Sequence, residues 1–130
     1  MCLIQFDGAS RGNPGKATSA ALLYDETGKY IDSLSYTHES VMTNNQAEYI
    51  GCLLGVKLAQ KYCVSCVHIQ GDSQLVMYQL QGKYKCKNET LKTYYEEIRE
   101  RLKSFEKVEY SWIPREKNEE ANALCNKAFK

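Results

Sequence analysis

The segment from Thr43 to about Lys61 constrains the fold of this chain more than any other. Thr43, followed three residues later by Gln46, has the form of a capping box, which predicts that a helix begins here. This helix is apolar on most of its circumference, so it must be largely buried. One of its faces carries small residues behind a single acid, in the order Glu48, Gly51, Cys52, Gly55 and Ala59. Because small side chains let a helix approach a sheet closely, we expect Glu48 to point at the end of a strand.

Strand signals lie on both sides of this helix. An apolar segment over 2–6 ends at Asp7 and is followed by the turn signal Gly12-Asn13-Pro14-Gly15. Two further strands over 19–24 and 30–36 are joined by the hairpin signal Asp25-Glu26-Thr27-Gly28. After the long helix we predict, in order, a strand over 64–70 closed by Gly71-Asp72, helices over 73–80 and 91–105, a strand over 108–113 and a last helix after Pro114.

This element order predicts an α/β fold in a single domain that covers residues 1–130. The first three strands form an antiparallel meander, and the two later strands join it in parallel through right-handed crossovers. A mixed five-stranded sheet with helices on both faces follows. Ligands of such sheets gather at the carboxyl ends of strands, and Asp7 and Asp72 both follow such ends.

Composition excludes several classes of protein. With 130 residues, of which 43% are apolar, the chain is long enough for a proper core and is not a disordered polymer. No apolar run could span a bilayer and the first residues lack a basic leader, so we expect a soluble, intracellular and cytoplasmic protein, with the nucleus or an organelle left open. We expect a monomer that does not bind membranes. The net charge of +1 means that a nucleic-acid partner would have to be bound by local patches.

The six cysteines are expected to be reduced and structural. Most of them lie in apolar stretches, and no secretory signal precedes them. The single Cys63-Val64-Ser65-Cys66 motif has no second pair at ligand spacing, so it is a weak zinc signal.

Three acids, Asp7, Glu48 and Asp72, are predicted to meet at one edge of the sheet. Taken singly, each has an ordinary structural explanation, as a turn residue, a partner of the helix dipole or a residue at a helix entry. Taken together, they would repel one another unless cations neutralised them. A set of ligands made only of oxygens suits Mg²⁺ or Mn²⁺, which bind through a few carboxylates together with substrate phosphates and water.

Four sequence blocks resemble the signature of type 1 ribonuclease H. In chain order they are 6–15 (FDGASRGNPG), 43–49 (TNNQAEY), 71–76 (GDSQLV) and 112–121 (WIPREKNEEA). They stand in the expected order, with the expected element between neighbouring blocks, over nearly the whole chain. The tight turn at Pro114-Arg115-Glu116 is similar to that of the short archaeal, bacterial and plant-like branch, whereas longer relatives carry a flexible histidine loop there.

The resemblance implies an endoribonuclease that hydrolyses the RNA strand of RNA–DNA hybrids with two Mg²⁺ ions, for which Mn²⁺ can substitute. Two cations roughly 4 Å apart can clamp the attacking and leaving oxygens of an in-line displacement. By the resemblance, Asp7 bridges both ions, and Glu48 and Asp72 complete the leaving-group side. A fourth acid of the family helps to hold the ion that activates water.

That fourth acid is replaced in this chain. The family has Asp in an Ala-Asp-x-Leu context, and here the same context reads Ala121-Asn122-Ala123-Leu124. Asparagine keeps the shape and one carbonyl oxygen but loses the negative charge. We therefore count Asn122 with the catalytic and metal-binding positions and expect hydrolysis to be lost or strongly impaired. The alternative is that Asn122 is only a surface residue of the last helix.

The resemblance also implies a set of substrate-binding residues. An RNA-selective protein must sense the 2′-hydroxyl, which both donates and accepts hydrogen bonds. The residues implied on the minor-groove side of the RNA strand are Ser10, Gly12, Asn13, Asn44 and Gln74. Thr43 and Asn45 would bind a phosphate of the DNA strand at a helix N-terminus, although Thr43 and Gln46 can also serve purely as caps.

The sequence also permits other interpretations. Lys83, Lys85 and Lys87 form a cationic strip that is either a phosphate contact or simply a solvated surface. Double-stranded RNA is a possible second ligand. The chain could also be a non-catalytic binding module for hybrid or double-stranded RNA. A third alternative is another nuclease or resolvase of the same superfamily, which is disfavoured because the side-chain amides suit the sensing of RNA. We also expect Tyr94, Tyr95 and Trp112 in the core, because they fall on inward-facing stripes.

Overall fold

The strands form one mixed sheet in the order β3-β2-β1-β4-β5. In the computed structural model, which describes residues 1–129, they are Cys2–Arg11 (β1), Lys16–Tyr24 (β2), Tyr30–Thr37 (β3), Cys66–Gly71 (β4) and Lys107–Trp112 (β5). The first three pair antiparallel, β4 pairs in parallel with β1, and β5 pairs in parallel with β4. The predicted mixed sheet is confirmed; the domain limit predicted at Lys130 lies outside the described residues.

Helices cover both faces of this sheet, as predicted. They are Asn44–Lys61 (α1), Gln74–Leu80 (α2), Glu89–Leu102 (α3) and Glu119–Lys127 (α4), with a 3₁₀ turn at Arg115–Lys117. Neighbouring residues of β2 demonstrate the two faces: the Ser19 hydroxyl donates to the Ala47 carbonyl of α1, and the Thr18 hydroxyl donates to the Cys125 carbonyl of α4. Successive side chains of a strand point to opposite faces, so α1 and α4 lie on opposite sides of the sheet.

The start of α1 is the capping box that the sequence predicts. The Thr43 hydroxyl accepts from the Gln46 backbone N–H at 3.2 Å, and the Gln46 side chain accepts from the Thr43 N–H at 2.8 Å. The small residues of the helix are buried against the sheet. A Cβ at Gly51 would lie 2.5 Å from the Asp7 carbonyl oxygen, and one at Gly8 would lie 2.1 Å from the Ala47 carbonyl carbon. Only glycine at both positions permits this approach, which brings the start of α1 onto β1 beside Asp7.

The first strand is longer than predicted. We expected it to end at Asp7, but β1 continues to Arg11 because it stays paired with β2 as far as Arg11 and Lys16. Its parallel pairing with β4 does end one residue before Asp7, at Phe6 and Gly71. Asp7 therefore lies inside a strand and yet at the edge of the parallel part of the sheet, where the end of β4 also lies.

The main core lies between the sheet and helices α1 to α3, and its largest buried side chains include Phe6, Leu23, Val56, Ile69 and Ile98. Among residues 1–129, no helix combines the length and apolar character that a membrane crossing requires.

Candidate catalytic and metal-binding site

Three carboxylates converge where the parallel pairing of β1 and β4 ends. One oxygen from each of Asp7, Glu48 and Asp72 lies within 4.8 Å of the others. Asp7 comes from β1, Glu48 from the N-terminal part of α1, and Asp72 directly follows β4. The structure thus brings together the three acids that the sequence pattern singles out, although they are far apart along the chain.

Burial and charge repulsion raise the pKa values of Asp7 and Glu48. Desolvation, assisted by the charge of Asp72, raises the pKa of Asp7 to about 7, against the opposing effects of the Gly8 N–H and the Arg115 guanidinium. The pKa of Glu48 is raised well above its ordinary value, first by burial and then by the charges of Asp7 and Asp72. A bound divalent cation would favour the ionised forms of Asp7 and Glu48.

The oxygen set fits a divalent metal ion. Glu48 Oε1 is buried and accepts no hydrogen bond from the described residues. A buried carboxylate oxygen without a donor is costly in a protein interior, and a cation would remove that cost. Oxygen ligands without nitrogen or sulfur match the preferences of Mg²⁺ and Mn²⁺.

Asn118 is a residue of this site that sequence reasoning missed. It precedes α4 and is fully buried. Its amide nitrogen donates to the Phe6 carbonyl at 2.9 Å and to Asp72 Oδ2 at 3.2 Å. The only sequence signal was its place in the fourth signature block, where an asparagine before a helix is typical of an ordinary cap.

Trp112 is not a core residue, so that prediction is wrong. Its side chain is 37% exposed at the end of β5, and its indole N–H donates to the Asp72 carbonyl at 3.0 Å. Because β5 is an edge strand, a side chain at its end reaches the rim of the sheet, where helices do not enclose it. Tyr94 and Tyr95 are half-buried and pack against the core.

Asn122 lies in the first turns of α4 and is half-buried. Its side-chain amide donates to the Arg115 carbonyl at 3.1 Å. Its backbone N–H donates to the carbonyl of Asn118, whose side chain donates to Asp72 Oδ2, so this turn of α4 adjoins the acidic cluster. Asn122 therefore stands beside the site and contributes no negative charge to it.

The residues expected to bind RNA form one hydrogen-bonded group beside the acids. The Asn44 side-chain oxygen accepts from the Ser10 N–H at 2.7 Å, and the Asn13 side-chain oxygen accepts from the Asn44 N–H at 2.9 Å. Both amides are exposed and use their oxygens internally, which leaves their NH₂ groups for a ligand. Gly12 lies in the adjoining turn, and Gln74 is exposed at the start of α2.

A polar cleft of about 380 Å³ lies beside the start of α1. Two helices begin at it: Thr43 caps α1, and the Asn88 side chain caps α3 by accepting from the Thr90 and Leu91 N–H groups. Asn45 also lines the cleft. Asn88 and Thr90 line it too, although the sequence did not indicate them as candidate binding residues. Two helix N-termini at one cleft favour an anion.

The lysine strip lies in the loop between α2 and α3. Lys83, Lys85 and Lys87 are all exposed, and the Lys83 ammonium lies 5.1 Å from the centre of the Tyr78 ring. The strip is therefore accessible to a ligand.

Comparison with known proteins identifies the family. The family model described as reverse transcriptase-like matches residues 5–128. Ribonuclease HI of Halobacterium salinarum is 37% identical over 124 residues, which cover 95% of this chain and 62% of that protein. The crystal structure of ribonuclease H1 from the same archaeon superposes with a TM-score of 0.94 at 35% identity, over 98% of this chain and 96% of that one. The chain belongs to the type 1 ribonuclease H family.

Two further ribonuclease H structures are similar over nearly their full length. The N-terminal RNase H domain of Rv2228c from Mycobacterium tuberculosis has a TM-score of 0.95 at 32% identity, over 98% of this chain and 91% of that one. LC11-RNase H1, solved in complex with an RNA/DNA hybrid, has a TM-score of 0.91 at 31% identity and is covered over 100% of both chains. This chain spans only 35% of the length of the curated mycobacterial relatives and 62% of the Halobacterium protein.

Proposed function

We propose that this chain is a ribonuclease H domain that binds RNA–DNA hybrids and whose hydrolysis of the RNA strand is strongly impaired by Asn122. The observation that carries the proposal is the convergence of Asp7, Glu48 and Asp72 within 4.8 Å in a ribonuclease H fold. The hybrid bound to LC11-RNase H1, whose fold is so similar, supports the choice of substrate.

Asp7, Glu48 and Asp72 would hold two Mg²⁺ ions, or Mn²⁺ in their place. Such ions, when bound, supply an activated water and stabilise charge on the leaving oxygen. The protein contributes by gathering the acids on rigid elements and by leaving oxygens such as Glu48 Oε1 without competing hydrogen-bond donors. Burial of the cluster also strengthens its attraction for a cation.

The hybrid would be oriented by two adjoining polar surfaces at the start of α1, and Asn13 belongs to both. The NH₂ groups of Asn13 and Asn44 are arranged by their internal bonds to donate to the minor-groove side of the RNA strand, including its 2′-hydroxyls. The cleft with Thr43 and Asn45 would bind a phosphate of the DNA strand. Together these contacts set the register of the strand that crosses the acids.

Asn122 leaves the site with three acids instead of the four of the family pattern. Its NH₂ group is engaged by the Arg115 carbonyl, and its oxygen is neutral. A neutral amide oxygen attracts a cation less strongly than a carboxylate does, so the ion that activates water would be held weakly.

The decisive experiment compares this chain with Asn122→Asp on hybrid, RNA duplex and DNA duplex, with and without Mg²⁺. We expect Asn122→Asp to cleave the RNA strand of the hybrid roughly 100-fold faster than this chain or more, because activation of the attacking group typically changes rates by that much. Asn126→Asp, on an exposed position of the same helix, is the control for an added charge. Equal rates for the chain and Asn122→Asp would refute the role given to Asn122.

A second function is favoured by Asn122 itself, namely a binding module that uses the same surfaces without cutting. It predicts hybrid binding that weakens with salt and no cleavage even after Asn122→Asp. The RNA-duplex arm of the same experiment decides whether double-stranded RNA is also a ligand.

A further inference from the structure

Asn118 occupies the cap position of α4 but does not act as a cap. Asparagine before a helix ordinarily turns its side-chain oxygen to the free N–H groups of the first turn. No such bond forms at Asn118, and its Oδ1 is buried without a hydrogen-bond partner among the described residues. Both features cost stability, so neither helix capping nor core packing explains this side chain.

The Asn118 amide points instead at two acceptors of the acidic site. Its nitrogen lies 2.9 Å from the Phe6 carbonyl, in the residue before Asp7, and 3.2 Å from Asp72 Oδ2. One side chain therefore ties the Asp72 carboxylate to the backbone of β1 next to Asp7. The bond to the carboxylate is charge-assisted, which makes it stronger than a bond between neutral groups.

The chemistry of an amide suits this position. It supplies two N–H donors and no charge, so it orients Asp72 without competing with a cation for the carboxylate. A lysine or arginine at this position would compete, because its side chain is positively charged. The Asn118 backbone carbonyl also accepts from the Asn122 N–H at 3.0 Å. That bond is the first of the helix, so Asn118 ties the Asp72 carboxylate to the β1 backbone at Asp7 and also stands where the helix that carries Asn122 begins.

We propose that Asn118 is a positioning residue of the divalent-cation site: its side chain holds the Asp72 carboxylate at the distance from Asp7 that cation binding requires. The inference rests on the proposed function, because it assumes that these acids bind cations. Partners of metal ligands typically contribute about 10- to 100-fold to metal affinity or activity.

The test measures Mn²⁺ binding by titration calorimetry, without substrate, on this chain and on Asn118→Ala, Asn118→Leu and Asn126→Ala. Leucine has nearly the shape of asparagine, so Asn118→Leu removes the donors while it keeps the packing. Asn126→Ala is the matched control, because Asn126 is an exposed asparagine of the same helix. Thermal melts without metal report folding, and kcat and KM are measured with each substitution added to Asn122→Asp.

We expect both Asn118 variants to bind Mn²⁺ about 10- to 100-fold more weakly, with Asn126→Ala unchanged. In the Asn122→Asp background kcat should fall while KM for the hybrid stays the same. An Asn118→Leu protein that folds and binds Mn²⁺ as tightly as this chain would overturn the proposal. If Asn122→Asp proves inactive, the proposed hydrolysis fails, but the calorimetry still decides the role of Asn118.

Discussion

The carboxyl groups of Asp7 and Glu48 are buried at a cost to the stability of the folded chain. Acids that are desolvated and close to one another favour their protonated forms, and here the pKa of both is raised. Fold stability alone does not select such an arrangement, whereas binding of a divalent cation does. The cost of burying these acids can therefore be measured: removing one of the charges should stabilise the metal-free chain.

Asp7→Asn should change how stability depends on pH. The pKa of Asp7 rises from 3.8 in an unfolded chain to about 7 in the folded one, so between these values the folded state keeps a proton that the unfolded state has lost. Stability must then fall as pH rises through this window, and it is fully present only below it. We expect Asp7→Asn to flatten this decline in urea-unfolding experiments without metal.

Glu96→Gln, at an exposed acid of α3, serves as the control for that experiment and should keep the decline. The same slope in this chain and in Asp7→Asn would contradict the assignment. Added Mg²⁺ should raise the stability of this chain at neutral pH and leave that of Asp7→Asn largely unchanged.

The contact of α1 with β1 decides where Glu48 points. The capping box and the small-residue face of α1 predicted its start and its buried side correctly. The end of β1 was predicted wrongly, because a hairpin partner carries the strand on to Arg11 after β4 has ended. Local sequence signals an element well, but the partner strand determines its length.

Gly51→Ala should destabilise the protein even though alanine normally favours a helix. Its Cβ would meet the Asp7 carbonyl oxygen at 2.5 Å, so α1 would have to move away from β1. We expect a loss of about 1–3 kcal/mol in the free energy of unfolding, together with weaker Mn²⁺ binding. Gly55→Ala is the matched comparison: its Cβ would meet the buried Ile4 side chain at 2.4 Å and not the Asp7 backbone, so it should also destabilise the fold but weaken Mn²⁺ binding less. The reverse order of the two variants in metal affinity would contradict this account.

Thr43 and Asn45 should separate capping from phosphate binding at the start of α1. Thr43→Ala removes a cap, so it should cost about 1 kcal/mol of stability as well as hybrid affinity. Asn45 is exposed in the same cleft, and Asn45→Ala should lower hybrid affinity with little effect on stability. Fluorescence anisotropy and urea unfolding measure the two quantities. Unchanged hybrid affinity in both variants would remove the cleft from the binding surface.

The whole molecule carries almost no net charge, so its attraction for nucleic acid must come from where its charges lie. The exposed strip of Lys83, Lys85 and Lys87 places three lysines in five residues with no acid among them. It lies in the loop that joins α2, whose first residue is Gln74, to α3, which begins at the proposed phosphate cleft. The strip therefore directly precedes, along the chain, the helix start that lines the cleft. The intracellular location and monomeric state remain predictions.

Replacing all three lysines of the strip with glutamine should weaken hybrid binding mainly at low salt. Removing one lysine–phosphate pair lowers the slope of log affinity against log salt by roughly one. We expect a reduction of up to roughly three in that slope, measured by anisotropy over a salt series. A triple change at Lys92, Lys103 and Lys107, which are exposed elsewhere, is the control. An unchanged slope after substitution of the strip would mean that it is only a solvated surface.

The sequence by itself determined the element order, the mixed sheet and the meeting of Asp7, Glu48 and Asp72. These follow from local periodicity, caps and turns, and from the rule that parallel strands end at one edge. The family resemblance rested on four blocks of adjacent residues, which a single chain displays directly.

Only the tertiary structure decided the contacts of Asn118 and Trp112 and the joining of Asn88 to the cleft at Thr43. Each depends on a contact between residues far apart in the chain: Asn118 with Phe6 and Asp72, Trp112 with the Asp72 carbonyl, and the start of α3 with that of α1. Local pattern indicates what a residue does for its own helix or strand. Which side chain a distant element brings to it is set by packing, because the core must be filled and buried donors must find acceptors.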